Sequence, residues 1–212
     1  MTIEIWSDIA CPFCYIGKRQ LESALAVYPD KDKVTIIWKS FQLDPTLVSD
    51  PSINLLASLM DKKGWSKEQA EQAMGHVIRM AKDFHLKYDF EKVVVANTLD
   101  AHRLLHFAKK EGKQSEVKEL LMQAYFMQGK NIADKPTLIE IGKQAGLPDI
   151  QLDIALYTDQ YREEVIYDIQ KARKLGINGV PFFVFDQKYG LSGAQGVDAI
   201  LEVMEKIDDS LE

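Results

Sequence analysis

The chain carries strand patterns only near its two ends. "TIEIW" at residues 2–6 alternates polar and apolar side chains, and "KVTIIWKSF" at 33–41 is rich in β-branched and aromatic residues. "PFFVFDQKYGLSG", from Pro181, reads as two short strands joined by a turn near residues 186–188. Between these flanks, residues 52–176 show helical spacing and no strand. The expected helices run near 52–63, 66–85, 97–111, 114–128, 136–145, 149–156 and 158–175. A first helix, "YIGKRQLESALAVY", presents Ile16, Leu21, Leu25 and Tyr28 inward. A closing helix, "AQGVDAILEVMEKIDD", presents Val197, Ile200, Leu201 and Met204. The order strand–helix–strand, helices, strand–strand–helix predicts an α/β fold built on a mixed sheet. Residues 1–51 and 177–212 would form one sheet-bearing domain, interrupted by a helical domain at 52–176.

Several residues punctuate this pattern. Asn97 or Thr98 is suited to cap the third helix of the insertion, and Asp134 precedes Pro136 at a helix start. Gly112, Gly129 and Gly146 stand where helices stop.

Both cysteines lie in "DIACPFCYIG", residues 8–17, between the first strand and the first helix. Three readings of Cys11-Pro12-Phe13-Cys14 compete. A structural disulfide there closes too short a loop to constrain the unfolded chain as a long-range bridge would. A zinc site needs four ligands, and the four histidines, His76, His85, His102 and His106, all fall in the helical segment. Thiol chemistry needs only what is present, and no metal is expected. Cys11 at the helix start sits at the positive end of the dipole, which predicts a thiolate more acidic than free cysteine. Pro12 fits the first helical position. Cys14, one turn on and shielded, suits a resolving thiol. The redox-active pair then serves in place of any cofactor. Asp8 suits a cap for the first helix, with action as a base for Cys14 as the alternative. Phe13 is the best candidate for lining a substrate groove; Trp6, Tyr15, Phe41, Phe182 and Phe183 are others, with core packing the commoner fate of aromatics.

His102 and His106 share a helix face, but no nearby carboxylate spacing completes a metal site, so packing and hydrogen bonding are expected of them. Met60, Met74, Met80, Met122 and Met127 fit helical core filling, with an adaptable binding surface as the alternative.

Six stretches in series, "DIACPFCYIG", "WKSFQLDP", "NTLDAHRLLHFA", "AYFMQGKNIAD", "GINGVPFFVF" and "SGAQ", resemble the DsbA-like branch of the thioredoxin-fold superfamily. Within it the chain looks most like FrnE-type dithiol–disulfide isomerases. The resemblance implies a thioredoxin-like fold with an α-helical insertion and a cis Pro181 facing the cysteines; sequence physics alone leaves cis and trans open. It also implies that Val180 offers its backbone to a substrate strand. The implied activity is thiol–disulfide exchange on protein or peptide substrates, Cys11 attacking and Cys14 resolving, with a reductant or glutathione to recycle the pair. One departure matters. Strongly oxidising relatives have histidine where this chain has Phe13, which points to an isomerase or a moderate oxidoreductase. Two other functions fit the outline. One is a glutathione-dependent isomerase or transferase of the kappa type, in which a serine replaces the first cysteine. The other is a client-binding holdase that uses the insertion.

Lys+Arg 26 against Asp+Glu 32 gives a net charge of −6, with no basic tract to attract nucleic acid or an anionic membrane. "MTIEIWSD" has no basic or long apolar leader, and no apolar run approaches membrane-spanning length. A chain starting near Met1 in a reducing cytoplasm is the expectation, where a cysteine pair is catalytic more often than structural.

Overall fold

A computed structural model describes residues 1–50 and 52–208. It opens with β1 (Thr2–Ser7), α1 (Pro12–Val27) and β2 (Thr35–Ser40). Seven helices follow: α2 (Leu55–Lys63), α3 (Lys67–Lys82), α4 (Leu99–Lys110), α5 (Gln114–Phe126), α6 (Lys135–Gln144), α7 (Asp149–Tyr157) and α8 (Arg162–Lys174). The chain returns through β3 (Phe182–Phe185), β4 (Tyr189–Ser192) and α9 (Val197–Asp208). The four strands form one mixed sheet in the order β2-β1-β3-β4. β1 runs parallel to β2, with Ile5 opposite Trp38, and antiparallel to β3, with Ile5 opposite Phe183. This is the mixed α/β sheet with helical insertion that the strand pattern implies. The expected boundary at Pro51 and the last residue of the expected closing helix, Asp209, lie outside the described residues.

Alternation along β1 divides its side chains between two cores. Ile3 and Ile5 pack with Phe183 and Phe185, under Leu21 and Ala24 of α1 and Ile200, Met204 and Ile207 of α9. Trp6 points the other way, onto Ala172 of α8 and Ile177, and its indole N–H donates to the Asp168 carbonyl at 2.9 Å. A larger core joins the insertion to the start of α1: Ile9, Cys11, Cys14, Tyr15 and Ile16 pack with Leu104 of α4, Val117 and Leu121 of α5 and Phe126.

β2 is an edge strand, and unpaired edge groups invite pairing with other chains. Here side chains from the insertion satisfy them. The Trp38 N–H donates to Gln114 Oε1 at 3.2 Å, and Gln114 Nε2 donates to the Trp38 carbonyl at 3.1 Å. The Ser40 N–H donates to Asp168 Oδ2 at 3.0 Å.

Element ends depart from expectation where the backbone turns left-handed. α3 stops at Lys82, not near residue 85: His85 has φ 59°, and the Leu86 N–H returns to the Ala81 carbonyl at 3.0 Å. α8 starts at Arg162, not 158, because Tyr161 ahead of it has φ 63°. Between β3 and β4, Asp186 and Gln187 both have positive φ, the signature of a two-residue hairpin turn. At the start of α4 the side chain of Thr98 makes no cap bond; Asn97 Oδ1 accepts the Leu99 N–H at 2.9 Å instead.

Candidate active site

β1 ends at Ser7, and the next four residues turn the chain into α1, with the Asp8 carbonyl accepting the Cys11 N–H at 3.3 Å. Cys11 is the N-cap residue of α1 and Pro12 follows at the first helical position, where a missing N–H costs nothing. The Cys14 N–H closes the first turn onto the Cys11 carbonyl at 3.0 Å. The helix thereby carries both cysteines on its opening turn, 3.5 Å apart, reduced and buried.

The Val180–Pro181 peptide is cis, and the Val180 carbonyl lies 3.4 Å from Cys11 Sγ, placed to accept from the thiol. Gly17 explains how this loop seats on α1. A Cβ at that position would stand 3.0 Å from Pro181 Cγ and 3.3 Å from Phe183 Cζ, closer than packed atoms normally sit. Phe13 is 37% exposed beside the pair, whereas Trp6, Tyr15 and Phe183 are buried in the core. The Pro12 carbonyl accepts from the Tyr88 hydroxyl at 2.8 Å. Four of the residues singled out from sequence, Cys11, Cys14, Val180 and Pro181, thus meet at the tip of α1, with Pro12 and Phe13 on the same turn.

The electrostatics differ from the sequence expectation for Cys11. The hydrogen bond it shares with the Cys14 sulfur, together with burial, pushes the Cys11 thiol well above the usual cysteine range. Burial also opposes a Cys14 thiolate, but the Cys11 thiol donating to it and the charge of Lys118 outweigh that penalty, so Cys14 is lowered. The resting dithiol therefore keeps its first negative charge on the inner sulfur. The helix dipole favours an anion at either position, and the inner one has the better partners.

Asp8 does not cap α1 with its side chain. Its carboxylate accepts the Leu43 N–H at 2.8 Å and lies 3.2 Å from His102 Nε2. Burial would raise Asp8, but the His102 and Leu43 hydrogen bonds hold it below the usual carboxylate range. Burial lowers His102 in turn. The imidazole is therefore neutral, with Nε2–H on Asp8, and Nδ1 is buried without a hydrogen-bond partner. One turn along, His106 Nε2 lies 3.2 Å from Asp168 Oδ2 and 3.1 Å from Ser40 Oγ. The two histidines serve buried carboxylates. Among the described residues no cluster of His, Cys, Asp and Glu is arranged to hold a metal.

Two residues at the site escaped the sequence reading. Tyr88 comes from the loop after α3, and nothing local marks it. Lys118 lies on α5, 1% exposed, with its ammonium 5.5 Å from the Trp38 ring centre.

A family model described as the DSBA-like thioredoxin domain matches residues 2–205. The chain belongs to the DsbA-like thioredoxin family. Among solved structures, this DsbA-like chain is similar to a probable DsbA oxidoreductase from Streptomyces coelicolor. They are 36% identical, with 97% of this chain and 89% of that one covered and a TM-score of 0.91. It shares 27% identity with the uncharacterized protein YwbO of Bacillus subtilis (strain 168), over 92% of both chains. It shares its fold, at 16% identity and a TM-score of 0.66, with the cytosolic disulfide reductase DsbM of Pseudomonas aeruginosa, solved with GSH, covering 97% of this chain and 98% of that one. The DsbA-like family is one of oxidoreductases, and the paired cysteines are the groups here able to exchange two electrons. Among the described residues no helix is long and apolar enough to cross a membrane.

Proposed function

We propose that the chain is a thiol–disulfide oxidoreductase or isomerase acting on protein or peptide disulfides, with Cys11 as nucleophile and Cys14 as resolving thiol. The observation that carries this reading is the 3.5 Å separation of the two cysteines beside the Val180 carbonyl at the start of α1. When a substrate disulfide reaches Cys11, its proton passes to Cys14 and the Cys11 thiolate attacks the nearer substrate sulfur. A mixed disulfide forms and the far substrate sulfur leaves as a thiolate. Cys14, as thiolate, then attacks Cys11 Sγ. The mixed disulfide breaks, the second substrate thiolate leaves, and the Cys11–Cys14 disulfide holds the oxidised state. Two electrons have passed to the substrate. If a second substrate thiol attacks the mixed disulfide first, the outcome is isomerisation.

Substrate backbone would pair with Val180 as a short strand beside Pro181, and Pro12 and Phe13 would face the incoming side chains. Phe13 supplies neither charge nor a donor to a Cys11 thiolate, which supports a moderate rather than a strong oxidant. Glutathione or a protein reductant would return the pair to the dithiol, in a reducing cytoplasm. The kappa-type alternative requires no second cysteine, so the variant that separates the readings is Cys14→Ser. Cys11→Ser is expected to abolish insulin reduction and refolding of scrambled ribonuclease, and Cys14→Ser to accumulate mixed disulfides. Wild-type rates in Cys11→Ser would end the proposal. Glutathione transfer to small electrophiles undiminished in Cys14→Ser would favour the kappa-type reading.

A further inference from the structure

Lys118 is an anomaly for a helix facing a core. Lysine is almost never fully buried unless paired, because removing an ammonium from water costs several kcal/mol. Yet among the described residues no carboxylate is in ion-pair contact with it. Asp8, the buried carboxylate on its side of the core, is already occupied by the Leu43 N–H and His102. Trp38 offers only the face of its ring. Position explains the direction the charge faces. Gln114, one turn earlier on α5, is clamped to both backbone groups of Trp38, and Ser115 Oγ accepts from the Trp38 indole at 3.1 Å. This fixes the rotation of α5. Val117 and Leu121, either side of Lys118, pack in the same core as Cys11 and Cys14. The charged groups that act on Lys118 are Cys14 and Cys11 on α1, Asp8 before it, Lys18 on α1 and His102 on α4. Of these, only Asp8 and the cysteine pair can be anionic.

We propose that Lys118 is a positioning residue whose ammonium is the counter-charge for the Cys14 thiolate, poising the pair toward its reduced form. The unpartnered, fully buried Ser7 hydroxyl, at the end of β1, is a second donor free to serve the same sulfur. Burial lowers Lys118 to about 8, so the side chain still carries its proton at pH 7. The chemistry is balanced as follows. A glutathione thiolate attacks Cys11 Sγ of the Cys11–Cys14 disulfide. The S–S bond breaks and Cys14 leaves with the electron pair as a thiolate facing Lys118. A second glutathione thiolate then attacks the glutathione sulfur of the mixed disulfide. Glutathione disulfide is released, and Cys11 departs as a thiolate and takes a proton from solvent. A charge that stabilises the Cys14 thiolate favours the reduced side of this equilibrium and so makes the disulfide a better oxidant.

The inference rests on the redox reading above, and its test separates the two. The full chain and its Lys118→Met and Lys118→Arg variants are equilibrated at pH 7 with graded ratios of reduced and oxidised glutathione, and the dithiol fraction is read by thiol alkylation and mass. Lys118→Met is expected to shift the equilibrium constant about tenfold toward the disulfide, a change of about 30 mV for a two-electron couple. Lys118→Arg is expected to stay within about threefold of the wild type. In a Cys11→Ser background, where Cys14 titrates alone, thiolate absorbance should appear about one pH unit later with Met at 118 than with Lys. If the wild type forms no Cys11–Cys14 disulfide at any ratio, the redox reading itself fails. If it does, and Lys118→Met matches it in both measurements, the Lys118 assignment is overturned. Equal shifts in the Met and Arg variants would trace the effect to packing and overturn it as well.

Discussion

Two histidines one turn apart on α4 each meet a buried aspartate, and the pairs differ in what surrounds them. His106 and Asp168 stand at the edge of the sheet, where Lys39 Nζ, at 3.1 Å, and the Ser40 N–H complete the carboxylate's partners. His102 and Asp8 stand behind the cysteines. There the histidine is neutral, one ring nitrogen has no partner, and the nearest positive charge is spent elsewhere. The first pair is a saturated joint between sheet and insertion. The second is a polar pocket left under-satisfied next to a reactive sulfur, a condition more typical of working sites than of scaffold.

Substitutions sharpen the contrast. Asp168→Ala removes the partner of a half-buried ammonium, of His106 and of a strand N–H together. It should cost about 3–5 kcal/mol in urea unfolding while leaving the thiol titration of the folded fraction unchanged. Asp8→Ala strands only a neutral imidazole and one amide, for about 1–3 kcal/mol, but removes a negative charge that raises Cys11. The Cys11 thiolate should then form at lower pH. A thiol titration indifferent to Asp8→Ala would erase the distinction between the pairs.

Acid separates them next. Asp8 and Asp168 are both held below the ordinary carboxylate value. Their stabilisation is therefore present above about pH 4 and lost as pH falls through their folded values. His102 is also depressed, so the unfolded chain takes up a proton near pH 6.5 that the folded chain refuses. Stability should accordingly decline from about pH 6.5 downward, by at most about 1.4 kcal/mol per pH unit from this histidine. In His102→Gln, which can still donate to Asp8, the decline should begin nearer pH 4. Chemical unfolding midpoints at a series of pH values measure this; an identical profile in His102→Gln would mean that His102 carries no such penalty.

The smallest effect is expected at alkaline pH. Lys118 at about 8 in the fold against about 10.4 unfolded binds its proton less well when folded, so it contributes a rise in stability between those values. Lys118→Met should remove that rise and stabilise the chain at pH 7 by about 1–3 kcal/mol. A variant less stable than wild type would show that the lysine belongs to the packing rather than to the sulfur.

Much of the scaffold was legible because local rules and tertiary needs agree. The alternation of "TIEIW", the proline after Cys11, the hairpin turn at Asp186-Gln187 and the strand-free stretch from 52 to 176 all became what their patterns imply. The cysteine pair and Pro181 were legible as a set only because the motifs occur in series. What sequence hid depends on distant partners. Lys118 in "EVKELLMQ" reads as one more charge on a solvated helix, and only the docking of α5 against Trp38 turns it inward. Asp8 looks like a cap until Leu43 and His102 claim its oxygens. The acidity of Cys11 was misjudged for the same reason: a helix start is a local cue, while the charge sits where non-local groups receive it.

The outer rim of β2 has a consequence for the architecture as a whole. Gln114 and Asp168 stand in for the neighbouring strand that Trp38 and Ser40 lack. A miniature made by splicing residues 1–50 to 177–208 would keep every strand and lose both stand-ins. Its bare hydrogen-bonding row would recruit another molecule of the same kind, so trimming this protein to its redox half is a recipe for self-association rather than for a smaller enzyme.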